Sequence, residues 1–239
     1  MPVAPTAQEP PPAEASINRT LQWVVWTTLG LILVALGAGL VRQQWRAAER
    51  QGGTSALDHL NRVPTFTLTE RSGQPFDSAS LKGKVWLASF FFTACPGPCL
   101  RMNARLQEIQ QALNKDKHGD VRIVSMSIAP EMDTPEVLRK YAERFHASPD
   151  HWLFLTGDRG KIYDLAHQVF TFAVQKVDDP IDPDAYVHST RVALVDRGGT
   201  VRGSFDTTNP DGTPNEEVVQ QVLTGVGELL REMPEGAAK

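Results

Sequence analysis

The sequence predicts a mixed α/β domain built on a central sheet with flanking helices. Two nearly continuous apolar runs, residues 85–92 and 121–128, have the length and composition of strands that are covered on both faces. The segment between them carries apolar residues at the 4, 3 and 4 spacing of an amphipathic helix: Met102, Leu106, Ile109 and Leu113. The alternation of predicted strands and helices therefore indicates the α/β class.

The other elements follow from local signals. A short strand is expected at residues 66–69, at an edge of the sheet, and Thr134-Pro135 has the N-cap and first-position residues of a helix start. After it come a strand at 153–155, a helix at 161–169 capped by Asp158, and an extended stretch at 170–177. The turn Asp196-Arg197-Gly198-Gly199 joins strands 191–195 and 200–205 in a hairpin, and a last helix covers 216–232. This order is compatible with a thioredoxin-like fold.

Composition narrows the class of function. Of 239 residues, 41% are hydrophobic and 22% are charged, which is a globular balance. The formal net charge is −4 and there is no basic stripe. Because nucleic-acid binding needs clustered Lys and Arg, no nucleic-acid partner is expected.

Residues 21–41 form an uncharged apolar run between Arg19 and Arg42. A helix of this length crosses a hydrocarbon core of about 30 Å, and Trp23 and Trp26 stand where interfacial rings are found. A cleaved signal peptide is the alternative, but the apolar run is long for one and its Pro-rich leader carries a single Arg. The predicted organisation is a disordered tail at 1–20, a transmembrane anchor at 21–41, a tether at 42–61 and the folded domain at 62–239.

The charged residues on either side of the predicted anchor can be used to predict which side of the membrane the folded domain faces. Arg19 stands alone before the run, whereas Arg42, Arg46, Arg50 and Arg62 follow it. Taken literally, the positive-inside rule places the C-terminal domain in the cytoplasm, although long domains translocate despite flanking charge.

The two cysteines of the chain lie four residues apart, in Cys95-Pro96-Gly97-Pro98-Cys99, between a predicted strand and a predicted helix. Residues at this spacing share one helix face, with Cβ atoms about 5–6 Å apart. A helix N-terminus also carries partial positive charge that lowers thiol pKa values, so lowered pKa values are expected here.

Three interpretations of this pair compete. A structural disulfide would close a very short loop and add little stability. A redox-active dithiol is the second interpretation, and a soft-metal site with one further ligand is the favoured one. A structural zinc site usually has four protein ligands, so a single Cys pair plus one His suits copper better.

The six histidines are the first candidates for the third ligand, although Met102 could also offer a thioether if it were not part of the predicted apolar stripe. Five of them lie in polar surroundings and are expected at the surface: His59, His118, His146, His151 and His167. His188 differs because it follows the Asp-rich segment 178–186 and immediately precedes a predicted strand. Spacing alone leaves its role as a ligand open, and the aspartates themselves are expected to be solvated.

Taken together, these stretches resemble the Sco/SenC family of copper proteins. The similar segments, in order along the chain, are Gly83-Lys84-Val85, Phe90–Cys95 with Cys99, Pro130–Glu136, Tyr141, Tyr186, His188-Ser189 and Leu194-Val195-Asp196. The resemblance implies that Cys95, Cys99 and His188 bind copper, as Cu(I) or Cu(II). It also implies copper delivery to the binuclear copper centre of cytochrome c oxidase, or reduction of the cysteines of that centre.

The same resemblance implies a partner and a compartment. The partner would be the copper-bearing subunit of the oxidase or another copper chaperone. The protein would be a single-pass inner-membrane protein with its soluble domain in the periplasm, and this expectation is preferred to the charge count. Leu100, Ala129 and Val187 depart from the family pattern of Pro, Asp and an acidic or polar residue at these positions.

A rival hypothesis keeps the fold and removes the metal. In it the protein is a thiol-disulfide oxidoreductase in which Cys95 and Cys99 are the attacking and resolving thiols. The metallochaperone interpretation involves no catalysis of its own, so the sequence leaves open whether the protein is an enzyme.

Overall fold

The computed structural model describes residues 23–30, 60–115, 118–177 and 186–232. The chain divides into two compact units, Met1–Gly52 and Gly53–Lys239, which are treated separately. In the first unit, residues 23–30 are helical and the side chains of Trp23 and Trp26 are exposed. Among the described residues, no helix has both the length and the apolar character needed to cross a membrane. Most of the predicted anchor at 21–41, and all of the predicted tail at 1–20, lie outside the described residues.

The second unit is built on a seven-stranded mixed sheet with the strand order β2-β1-β5-β4-β3-β8-β9. Its strands are β1 (Thr67–Glu70), β2 (Pro75–Asp77), β3 (Val85–Phe91), β4 (Val121–Ser127), β5 (Trp152–Thr156), β8 (Arg191–Val195) and β9 (Val201–Asp206). Strands β3, β4 and β5 are parallel, and antiparallel strands flank them on both sides. A separate two-stranded antiparallel sheet consists of β6 (Val174–Lys176) and β7 (Tyr186–His188).

The central strands confirm the sequence prediction. Every residue of β3 is buried, and so is all of β4 except Arg122, as expected for apolar runs covered on both faces. The first strand is not at an edge, because β2 pairs with its outer side, with Thr67 opposite Asp77. Pro75 begins β2, where a strand at the edge of a sheet tolerates the missing N–H of proline.

The described residues of the second unit also form four α-helices: α1 (Pro98–Lys115), α2 (Pro135–Glu143), α3 (Arg159–Asp164) and α4 (Val218–Arg231). The predicted caps are confirmed, since the Val137 N–H donates to the Thr134 side chain and the Lys161 N–H donates to that of Asp158. The helix expected at 161–169 is α3 followed by a π-helical turn at Leu165–Val169. Helix α1 buries its predicted apolar stripe and packs against α4.

A small polar network lies inside this core. The Trp152 indole N–H donates to Ser125 Oγ at 2.9 Å, and Ser89 Oγ lies 2.9 Å from the same atom. All three residues are fully buried. Hydrogen bonding satisfies polar groups that would otherwise lose water without compensation.

We expect Ser125→Ala to lower the free energy of unfolding by about 1–3 kcal/mol, because it leaves the buried Trp152 N–H without an acceptor. Chemical denaturation of the full-length chain measures the change. The matched control is Ser80→Ala, which removes an exposed hydroxyl bonded to the Asp77 carbonyl and should cost under about 0.5 kcal/mol. Equal losses in the two variants would contradict this account of the network.

Candidate functional site

The two cysteines lie at the turn that connects β3 to α1. Strand β3 ends at Phe91, Cys95 lies in the following loop, and Cys99 is the second residue of α1. The Cys99 backbone N–H donates to Cys95 Sγ over 3.3 Å, and the two cysteines form no disulfide. The structure thus brings together the two sulfurs that their four-residue spacing placed on one side of a helix start.

Burial controls the protonation of this dithiol. Cys99 is fully buried and Cys95 is only 5% exposed. Desolvation, followed by the hydrogen bond with the Cys95 side chain, raises the pKa of Cys99 far above its ordinary value. The expectation that the helix start lowers the pKa is wrong for Cys99, because loss of water outweighs the partial charge of the helix N-terminus.

A buried carboxylate, which the sequence did not single out, holds the loop in front of Cys95. Asp133 is fully buried and accepts hydrogen bonds from the Thr93 N–H at 3.1 Å, the Thr93 hydroxyl and the Ser127 hydroxyl. Burial raises the pKa of Asp133, although these hydrogen bonds oppose the shift. Asp133 therefore ties the cysteine loop to the end of β4.

A polar pair lies one turn further along α1. Asn103 stands four residues after Cys99, and its amide donates to the Tyr141 hydroxyl at 3.0 Å. Tyr141 stacks on Phe91, with ring centroids 5.2 Å apart. Burial raises the pKa of Tyr141, and the charge of Cys99 adds to the shift, so the phenol and the thiol influence each other electrostatically.

His188 is the last residue of β7, and its Cα is paired with that of Val174 in β6. The Tyr186 ring of the same strand lies 5.0 Å from the ring of Phe92, three residues before Cys95. The backbone of β7 is thus joined to the cysteine segment, whereas the His188 side chain is outside the described part of the structure. Among the side chains that are described, no group of three or more His, Cys, Asp or Glu residues forms a potential metal site.

His167, expected only to be solvated, has a specific contact. Its side chain is exposed, but its Nε2 atom lies 2.7 Å from the carbonyl oxygen of Val174. Nothing in the local sequence indicates this bond, because it depends on how the π-helical turn sits beside β6.

Fold and site together define a thioredoxin-like protein with a buried dithiol at the strand-to-helix turn. Residues 55–224 match the SCO1/SenC family, and the chain belongs to that family. It is 36% identical over 173 residues to the SCO1 protein homolog of Bacillus subtilis (strain 168), an alignment that covers 72% of this chain and 86% of that protein.

Two solved structures extend the comparison. BsSco, described as a member of the Sco family of cytochrome c oxidase assembly proteins with a disulfide switch, is 32% identical with a TM-score of 0.62, over 75% of this chain and 100% of that one. ScoI of Bradyrhizobium japonicum, solved with copper bound, is 26% identical with a TM-score of 0.57, over 71% of this chain and 99% of that one. The predicted family and the thioredoxin-like fold are confirmed.

The raised pKa of Asp133 predicts a pH dependence of stability. Compared with Asp133→Asn, the wild type should lose free energy of unfolding as the pH rises from about 4, the ordinary Asp value, to the higher pKa of the folded state. The folded carboxyl binds its proton more tightly than the unfolded one, so deprotonation favours unfolding. Urea denaturation between about pH 3 and 7 measures this difference.

Glu136→Gln is the control of opposite sign. Glu136 is exposed, and its ion pair with Lys140 lowers its pKa, so the wild type should gain stability over this variant as the pH rises through the ordinary Glu range. A wild type that gains stability over Asp133→Asn with rising pH would disprove the desolvation of Asp133.

Proposed function

We propose that this protein binds copper through Cys95, Cys99 and His188. The observation that carries the proposal is the contact between two buried cysteines at the start of α1, in a chain of the SCO1/SenC family. Thiolate and imidazole are the donors that suit Cu(I), and imidazole also suits Cu(II). The copper-bound structure of the Bradyrhizobium ScoI supports the same choice of metal.

The chemistry of Cys99 suits a copper ion that binds reversibly. A buried thiolate is costly by itself, so the proton leaves readily only when another cation takes its place. Binding then releases protons and requires the reduced dithiol and a neutral His188. Three protein ligands leave room for a ligand of a partner, which permits transfer.

The recipient in this proposal is the copper-bearing subunit of cytochrome c oxidase, or another copper chaperone that serves it. The description of BsSco as belonging to a family of oxidase assembly proteins supports this recipient. The protein would deliver copper to the binuclear centre of the oxidase, or reduce the cysteines of that centre before copper enters.

Copper binding is tested on the reduced full-length chain with a competing Cu(I) chelator. We expect one Cu(I) per chain, loss of tight binding in Cys95→Ser and Cys99→Ser, and a more than tenfold lower affinity in His188→Ala because one of three donors is missing. His151→Ala, a half-buried histidine in the turn before β5, is the matched control and should bind like the wild type. Full affinity in His188→Ala would remove that residue from the site.

The metal-independent oxidoreductase is the second candidate, since the reduced pair Cys95 and Cys99 is common to both functions. It predicts that His188→Ala keeps the wild-type rate of thiol-disulfide exchange with a model disulfide, while Cys95→Ser abolishes exchange. Exchange at the wild-type rate combined with no measurable copper binding would favour this candidate.

We further propose that residues 21–41 anchor the protein in the inner membrane, with residues 62–239 as the copper-binding domain in the periplasm, 42–61 as a tether and 1–20 as a tail. The uncharged run and its flanking residues support the anchor. An anchor keeps the domain near a membrane-bound recipient and raises its effective concentration.

The anchor predicts where the protein is found. The full chain and a variant lacking residues 2–18 should sediment with membranes, whereas deletion of residues 2–41 should release the domain into the soluble fraction. Protease added to spheroplasts should digest the domain of the full chain. If the protein lacking residues 2–41 still sedimented with membranes, the anchor would be contradicted. If the domain of the full chain were protected from the protease, the periplasmic orientation would be contradicted.

A further inference from the structure

The position of His188 depends on a part of the fold that is separate from the main sheet. His188 ends β7, and β7 pairs with β6 in a two-stranded ribbon, the β6–β7 ribbon (Val174–Lys176 with Tyr186–His188). Because the ribbon is not paired with the seven-stranded sheet, its contacts with the body of the domain decide where His188 lies relative to the cysteines.

On the β6 side, two side chains from the segment around α3 hold the backbone of the ribbon. His167 Nε2 is 2.7 Å from the carbonyl oxygen of Val174, the residue whose Cα is paired with that of His188. Tyr163 lies beside the Lys176 backbone, and its hydroxyl donates to the Ile128 carbonyl oxygen at 3.3 Å. His167 therefore holds β6 at Val174, and Tyr163 packs beside its other end.

The chemistry of the His167 contact is defined by its acceptor. A carbonyl oxygen only accepts, so Nε2 must carry a proton and act as donor. In a neutral ring, this contact selects the tautomer that is protonated at Nε2.

On the β7 side, Tyr186 joins the ribbon to the cysteine segment. Its ring meets that of Phe92 at 5.0 Å, and the Lys176 ammonium lies 5.8 Å from its centroid. Phe92 is followed by Thr93, which Asp133 holds through hydrogen bonds to its backbone and side chain. A continuous set of contacts thus runs from the ribbon to the loop of Cys95.

We propose that His167 and Tyr186 are positioning residues that hold the β6–β7 ribbon against the cysteine segment and so preorganise His188 for copper. The inference rests on the proposed function, because it assumes His188 as a ligand. Neither residue contacts the metal in this account. Each acts by restricting the ribbon, which lowers the entropy lost when the third donor closes on the two sulfurs.

The experiment compares Cu(I) affinities of the reduced full-length chain by chelator competition. His167→Ala and Tyr186→Leu should each bind about fivefold more weakly, as expected for the loss of one net hydrogen bond or one ring contact. His167→Gln, whose amide N–H can reach the same carbonyl, and Tyr186→Phe, which keeps the ring, should stay within about twofold of the wild type. His151→Ala is again the histidine control.

A second readout needs no metal. In the copper-free protein, His167→Ala should speed amide hydrogen exchange in β6 and β7 but leave the exchange of β3 and β4 unchanged. Faster exchange throughout the domain would mean that the variant destabilises the whole fold, and the positioning role would be rejected. The role would also be rejected by affinities of His167→Ala and Tyr186→Leu equal to the wild type.

The two proposals fail in different ways. If His188→Ala and Cys99→Ser lose copper but the positioning variants do not, the proposed function stands and the inference about the ribbon falls. If His188→Ala itself binds copper with wild-type affinity, the proposed set of copper ligands is wrong. Faster amide exchange in the ribbon of His167→Ala would then show only that His167 stabilises the ribbon, with no consequence for copper binding.

Discussion

Desolvation of Cys99 is the constraint around which the site is organised. The thiol is fully buried beside Cys95, and burial raises its pKa, which favours the thiol over the thiolate. A thiol of this kind is a poor nucleophile, because the thiolate is the reactive form. It can still become a metal ligand when a soft cation replaces its proton. If the protein is instead a thiol-disulfide oxidoreductase, Cys95 must be the attacking thiol, because its side chain is slightly exposed whereas that of Cys99 is fully buried.

The surrounding fold fixes the dithiol from three sides. Strand β3 and helix α1 set the backbone on either side of the turn, and Asp133 holds Thr93 from the segment after β4. Asp133 is itself buried at a cost, which its hydrogen bonds from Thr93 and Ser127 offset in part. The β6–β7 ribbon closes the third side through the contact between Tyr186 and Phe92. The cysteine loop is therefore supported by residues that are distant in sequence.

Local signals predicted much of the fold. The apolar runs of β3 and β4 were recognisable because strands covered on both faces need no polar alternation. The caps Thr134 and Asp158 were recognisable because capping involves residues only three apart. Strands β2 and β7 were missed, since each has three residues, too few for an apolar period to be visible.

For the site, the sequence by itself predicted that the two cysteines lie together, because local backbone geometry brings residues four apart close to each other at a helix start. The motifs along the chain also sufficed to recognise the SCO1/SenC family. Only the tertiary structure decided the protonation of Cys99, the role of Asp133 and the bond of His167 to Val174. Desolvation is the sum of everything packed around a group, and the Asp133–Thr93 contact spans 40 residues, so neither could be deduced from neighbours in the sequence.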